Sequence, residues 1–162
     1  MKFEILRAQF AFVRENNLVT PETMVAYQTK TEESLNALIK RRTILNVRKK
    51  RRQKLYAALA DAEALAGTRT FRGDGVSGME DAIERYEDAV SILEKSGVYR
   101  EALAREKAEL YEEIAAVNRE IREQRKKLAT CAEILSKTPE IEANLQKIEP
   151  KRRERRKTRT SR

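Results

Sequence analysis

The chain contains no histidine and a single cysteine, and these two scarcities remove most catalytic and metal chemistry from consideration. Without an imidazole no His can activate a nucleophile, and Cys131 has neither a second thiol for an internal disulfide nor companions for a thiolate metal site. No cofactor or metal is expected, and a reducing cytoplasm is the natural setting. Aromatic residues make up only 6% of the 162 positions while charged residues make up 38%, which leaves little material for a thick globular core. With only 5 Gly and 3 Pro there is little punctuation, and strand-like alternation is essentially absent. Long apolar runs are missing as well. The opening MKFEILRAQFAFVREN is interrupted by Glu4, Arg7, Arg14 and Glu15, so it has neither a signal-peptide core nor a membrane span. A soluble, unexported chain with no membrane partner is the expectation.

What the sequence does have is Ala, Leu, Glu, Lys and Arg, with apolar residues at helical spacing. Phe3, Leu6, Phe10 and Val13 mark a stripe on a first short helix that should stop near Asn16-Asn17, since asparagine tolerates the left-handed conformation of a helix end. Thr20-Pro21-Glu22 combines a capping hydroxyl, a proline suited to the first turn and a carboxylate at the positive end of the dipole, so a long helix should begin there. Met24, Tyr27, Thr31, Leu35, Leu38, Leu45, Leu55, Leu59 and Ala62 give that helix a seam at roughly heptad spacing. Between Leu45 and Leu55 the seam carries charge, which predicts a kink or local opening.

The glycine-rich segment 67–78 is the principal loop, followed by a helix from about Met79 to Lys95 with Ile83, Tyr86, Val90 and Leu93 on one face. After Ser96-Gly97 a second long seam runs through Leu103, Leu110, Ile114, Val117, Ile121, Leu128, Cys131 and Leu135 to about Ser136. Thr138-Pro139-Glu140 then repeats the start signal and predicts a short last helix, with Pro150 ending the ordered chain. The expected fold is therefore all-α: an elongated antiparallel helical hairpin or coiled coil with short flanking helices and a disordered basic tail. The corresponding divisions are an amphipathic helix at 1–17, the hairpin at 18–146 and the tail at 147–162.

Charge is distributed unevenly. Of the 35 basic residues, nine fall in 40–60, which holds no acid, and nine more in 147–162, which holds two acids. Both blocks are candidates for contacts to nucleic-acid phosphates, through Arg48, Lys49, Lys50, Arg51 and Arg52 on the helix and Arg152, Arg153, Arg155 and Arg156 in the tail. For the helical block a second reading stays open, because an antiparallel partner helix would bring Glu106, Glu109, Glu112, Glu113, Glu120 and Glu123 close and neutralise the cations in ion pairs. Other motifs have plainer explanations. Arg72-Gly73-Asp74 is a three-residue chance match to an adhesion motif, and the nearby glycines lack the Gly-Lys-Ser/Thr ending of a phosphate-binding loop. Glu109, Glu112, Glu113 and Glu120 are interspersed with cations like a solvated helix face, and Cys131 sits on the apolar seam as a small hydrophobe.

The segment YEEIAAVNREIREQRKKLATCAEILSKTPEIEANLQKIEP (Tyr111–Pro150) resembles the C-terminal helical region of relaxase and mobilisation proteins of Gram-positive plasmids and integrative conjugative elements. The upstream FAFVRENNLVTPETMVAYQTKTEESLNALIKRRTILNVRKKR is similar to helical segments of the same proteins. In that family a separate nuclease domain cuts DNA with a tyrosine nucleophile and a histidine-ligated metal. This chain has no histidine, so the resemblance implies the helical accessory part and gives the nucleophile's role to none of Tyr27, Tyr56, Tyr86, Tyr99 or Tyr111. It implies a nonenzymatic accessory protein of a mobile element that binds nucleic acid, DNA ahead of RNA, or the conjugative transfer machinery. The alternative is a coiled-coil interaction module that recruits or regulates a protein partner such as a nuclease; a homodimer is compatible with either.

Overall fold

A computed structural model describes residues 2–67 and 79–159, with side chains for 3–67, 79–140 and 143. Most of the expected glycine loop, 68–78, lies outside the described residues. The described chain is all-α: α1 (Lys2–Glu15), α2 (Pro21–Ala64), α3 (Glu80–Ser96) and α4 (Arg100–Arg159). The local signals act as their chemistry dictates. Asn17 takes a left-handed φ of 53°, closing α1, and Gly97 does the same at φ 66° after α3. At the start of α2 the Thr20 and Thr23 side chains cap reciprocally, the Thr23 N–H donating to Thr20 Oγ1 at 3.2 Å and the Thr20 N–H to Thr23 Oγ1 at 3.1 Å.

The chain falls into two compact units, Met1–Ala37 with Ile121–Arg162, and Leu38–Glu120. This grouping differs from the linear division expected from the sequence, because α1 packs with the first part of α2 and the second part of α4 instead of standing apart. In that first unit Leu18, Met24 and Cys131 form a buried cluster, with Phe12, Val13, Tyr27, Ile134 and Leu135 packed against it. Phe12 meets Tyr27 edge-on at 5.7 Å. Cys131 has no exposed surface, and burial pushes its thiol pKa up, the environment of a small hydrophobe in the core.

In the second unit α2 and α4 run antiparallel: Arg41 reaches Glu113 while Arg52, further along α2, reaches Glu106, earlier on α4. On α4 the buried Leu103, Leu110 and Val117 repeat every seven residues, with half-buried Lys107 and Ile114 between them. On α2 the sevenfold series is Leu38, Leu45, Arg52 and Leu59, joined by buried Tyr56. A repeat of seven keeps both seams facing each other, the geometry of a left-handed coiled coil. α3 adds Ala89 and Leu93 to the core, and Arg85 pairs with Asp61 of α2 at 2.9 Å.

Three expectations need correction. The stripe Phe3, Leu6, Phe10 and Val13 is not the inner face of α1. Phe3 and Phe10 are 79% and 74% exposed, while Gln9 is buried and Phe12 and Val13 turn inward. α2 does not open between Leu45 and Leu55, because Arg52 occupies the seam position and its guanidinium is hydrogen-bonded there. Finally, α4 continues past Ser136 through Pro139 and Pro150 to Arg159, where a break, a short helix and a disordered tail were expected. The Thr138 hydroxyl bonds back to the Ile134 carbonyl at 3.2 Å instead of capping a new helix. Each proline removes one backbone hydrogen bond and crowds the preceding turn, a cost of about 3 kcal/mol in a helix interior, and the neighbouring Glu, Leu, Lys and Arg residues are strong helix formers that extend an already established helix.

Candidate functional site

The functional question centres on the nine cations of residues 40–60, all of which fall within the Leu38–Glu120 unit, between Lys40 and Lys54 of α2. The heptad geometry sorts them by flank. In an antiparallel pair each flank of one helix meets the corresponding flank of the other. Glu106, Glu113 and Glu120 lie seven residues apart on one flank of α4, and Arg41 and Arg48 lie seven apart on the facing flank of α2. Arg41 donates to Glu113 at 2.6 Å, and that hydrogen bond, with the Glu113 charge, raises the arginine's already high pKa. Arg52 forms a fork with Glu106, its Nε 3.1 Å from Oε1 and its terminal nitrogen 3.0 Å from Oε2.

Tyr56 completes this cluster by donating its hydroxyl to Glu106 Oε1 at 2.8 Å. Burial first, then the hydrogen bond to Glu106 and its negative charge, push the Tyr56 phenol up from 10.0 to about 12. The unfolded chain ionises near the ordinary value, so this contribution to stability is complete below about pH 10 and is lost as the pH rises through about 12. Denaturant unfolding of the wild type and Tyr56→Phe across that range should show the wild type losing stability faster. Parallel losses would mean that Tyr56 is not held in this way.

The opposite flank has a different character. There Asn46 and Gln53 of α2 face Tyr111 and Asn118 of α4, and the surface between them is concave. Two adjoining hollows share Asn46 and Lys50 and together run from Arg42 to Ala60, about 27 Å of helix. Arg42, Lys49, Lys50 and Lys107 line this groove, and among its described lining residues there is no Asp or Glu. The Lys49 ammonium lies 4.3 Å from the centre of the Tyr111 ring, and Tyr56 meets that ring edge-on at 6.5 Å. Tyr111 remains 43% exposed. The groove thus offers cations for phosphate oxygens, amides for hydrogen bonding and an aromatic face for a base.

The sequence-derived site residues therefore separate. Lys49 and Lys50 line the groove; Arg52 is held by Glu106; Arg48 is exposed on the glutamate-bearing flank; Arg51 is exposed on the outer surface of α2. Arg152, Arg153, Arg155 and Arg156 lie on the helical backbone of α4, and their side chains are outside the described residues. Sequence reasoning placed Arg42, with Lys40 and Arg41, in the basic block but not among its named contacts, and missed Lys107, Tyr111 and the amides. The signal that could have found them was the glutamate repeat at 106, 113 and 120, which leaves the other flank of α4 to Tyr111 and Asn118.

Among the described residues no group of three or more His, Cys, Asp or Glu could hold a metal ion, and no helix is long and apolar enough to cross a membrane. No protein-family model, curated protein or solved structure matches the chain.

Proposed function

We propose that this chain is a nonenzymatic, cytoplasmic nucleic-acid-binding accessory protein whose principal contact surface is the cationic groove between α2 and α4 of the Leu38–Glu120 unit. One observation carries the reading: the glutamates of α4 are gathered on one flank, where Arg41 and Arg52 engage them, while Arg42, Lys49, Lys50 and Lys107 line the other with no acid among them. Unneutralised cations lining a groove attract a polyanion by releasing its condensed counterions. The basic residues after Pro150 add phosphate contacts from the end of α4. The resemblance of Tyr111–Pro150 to relaxase C-terminal regions supports DNA as the nucleic acid and a mobile element's transfer machinery, with its separate nuclease, as the setting.

The test is binding of labelled single- and double-stranded DNA across a salt series by the intact chain and by a version ending at Pro150. Four groove cations engaged with duplex DNA give an expected slope of log affinity against log salt of about −3.6, and about −2.8 for single strands. The truncated chain should retain a slope of that size, with the intact chain steeper. Absence of binding at low salt would refute the proposal, and loss of all binding on truncation would move the contact from the groove to the tail.

A further inference from the structure

Independently of the nucleic-acid reading, α1 carries a second, unused coiled-coil seam. Phe3, Leu6 and Phe10 follow the three-four spacing of alternating heptad positions, Val13 at the next position being turned into the core, and Arg7 and Arg14 lie seven residues apart along one edge of that stripe. The inner face of α1 is already occupied through Gln9, Phe12 and Asn16, whose amide nitrogen donates to the Phe12 carbonyl at 2.9 Å. The outward stripe is exposed: Phe3 at 79%, Phe10 at 74% and the neighbouring Val19 at 82%. Phe10, Ala11, Val13 and Val19 line a hollow together with Arg7 and Arg14, and Glu15 is the one acid among its described lining residues. The two phenylalanines alone present roughly 300 Å² of apolar surface, the size of the largest apolar patch on a typical monomer, which is often functional.

Charge decides what covers it. A second copy docking antiparallel would set Arg7 and Arg14 against the same two arginines, since like flanks meet. A parallel copy would set them against the flank of Gln9 and Asn16, uncharged and turned into the core. Neither arrangement of two copies supplies an acid along that edge. We infer that α1 docks a helix of another protein whose apolar heptad seam is edged by acidic residues seven apart, which pair with Arg7 and Arg14 while its seam covers Phe3, Leu6 and Phe10.

The test uses the full chain and two designed amphipathic helical peptides with the same Leu and Ile seam, one edged by Glu and one by Lys. Fluorescence anisotropy should show the Glu-edged peptide binding, the Lys-edged peptide binding at least about tenfold more weakly, and the Phe3→Ser/Phe10→Ser variant losing the interaction. Both positions are exposed, so this variant should keep the wild-type helix content and melting temperature, which circular dichroism verifies. Equal binding of both peptides, binding by neither, or binding that survives the double substitution would overturn the inference. So would sedimentation showing a dimer that dissociates on the same substitution, or adsorption to phosphatidylserine vesicles without peptide binding.

Discussion

Reversing three groove lysines, Lys49→Glu, Lys50→Glu and Lys107→Glu together, is expected to lower DNA affinity by about 100-fold or more at low salt and to flatten the salt dependence by about three units of slope. These three side chains line one continuous surface with no acidic neighbour in it, so each reversal removes a phosphate contact and replaces it with a repulsive one. A variant with the same change in net charge, Lys30→Glu, Arg122→Glu and Lys126→Glu, alters exposed positions of the other unit. It should lose far less affinity and keep most of the slope. Equal losses in the two variants would show that only overall charge matters, and the groove would lose its role. Lys50 is exposed and Lys49 gives up only a contact to the half-exposed Tyr111 ring, whereas Lys107 is half-buried at the α4 seam, so the Lys49→Glu/Lys50→Glu pair, which leaves the seam untouched, should keep the fold intact and show most of the loss. Cation–π contacts of that kind are worth about 0.5–1 kcal/mol.

The groove shows where sequence reasoning stops. The breaks at Asn17 and Gly97 and the start at Thr20-Pro21 were legible because they are local, needing only a left-handed φ or a side chain's own backbone, whereas the same Thr-Pro-Glu signal at Thr138 lies inside α4, where an established helix carries through it. The seams were legible because apolar side chains recur every three or four residues, and Leu103, Leu110, Val117, Ile121 and Cys131 are indeed buried. The fate of the cations was not, because it depends on which glutamate faces which arginine. That offset is set by the packing of two segments more than fifty residues apart, as Arg52 and Glu106 are. The helix pair carries the ion pairs on one flank and, among its described lining residues, a cationic groove without acids on the other. The outward turn of Phe3 and Phe10 was hidden for a related reason: α1 has apolar residues on both faces, and periodicity alone does not say which one the rest of the chain covers.

Glu106→Leu is expected to destabilise the protein by about 1–3 kcal/mol, although it adds apolar surface at a seam. The glutamate accepts three hydrogen bonds, two from Arg52 and one from Tyr56, and removing it leaves a guanidinium and a phenol at the helix interface without their acceptor. Breaking a fully buried ion pair costs about 3–5 kcal/mol; the smaller figure applies here because the side chains of Arg52 and Glu106 keep 37% and 21% of their surface in water. Replacing both partners tests the mechanism. Arg52→Leu/Glu106→Leu turns the polar contact into a hydrophobic one and should recover most of the loss, since the double replacement of an ion pair is often neutral. Urea unfolding of the wild type, both single variants and the double variant closes a cycle whose coupling energy should favour the native pair over either half of it. The recovered stability should come with a weaker specification of register. With the Arg52→Leu substitution in place, the heptad series that begins at Leu38 and Leu45 and ends at Leu59 carries leucine at every position, and one apolar layer can then substitute for the next. Broadened amide resonances along α2 in the double variant, absent from the wild type, are the expected sign that this ion pair holds the two helices in register. Sharp, wild-type-like spectra would assign that role to the apolar layers alone.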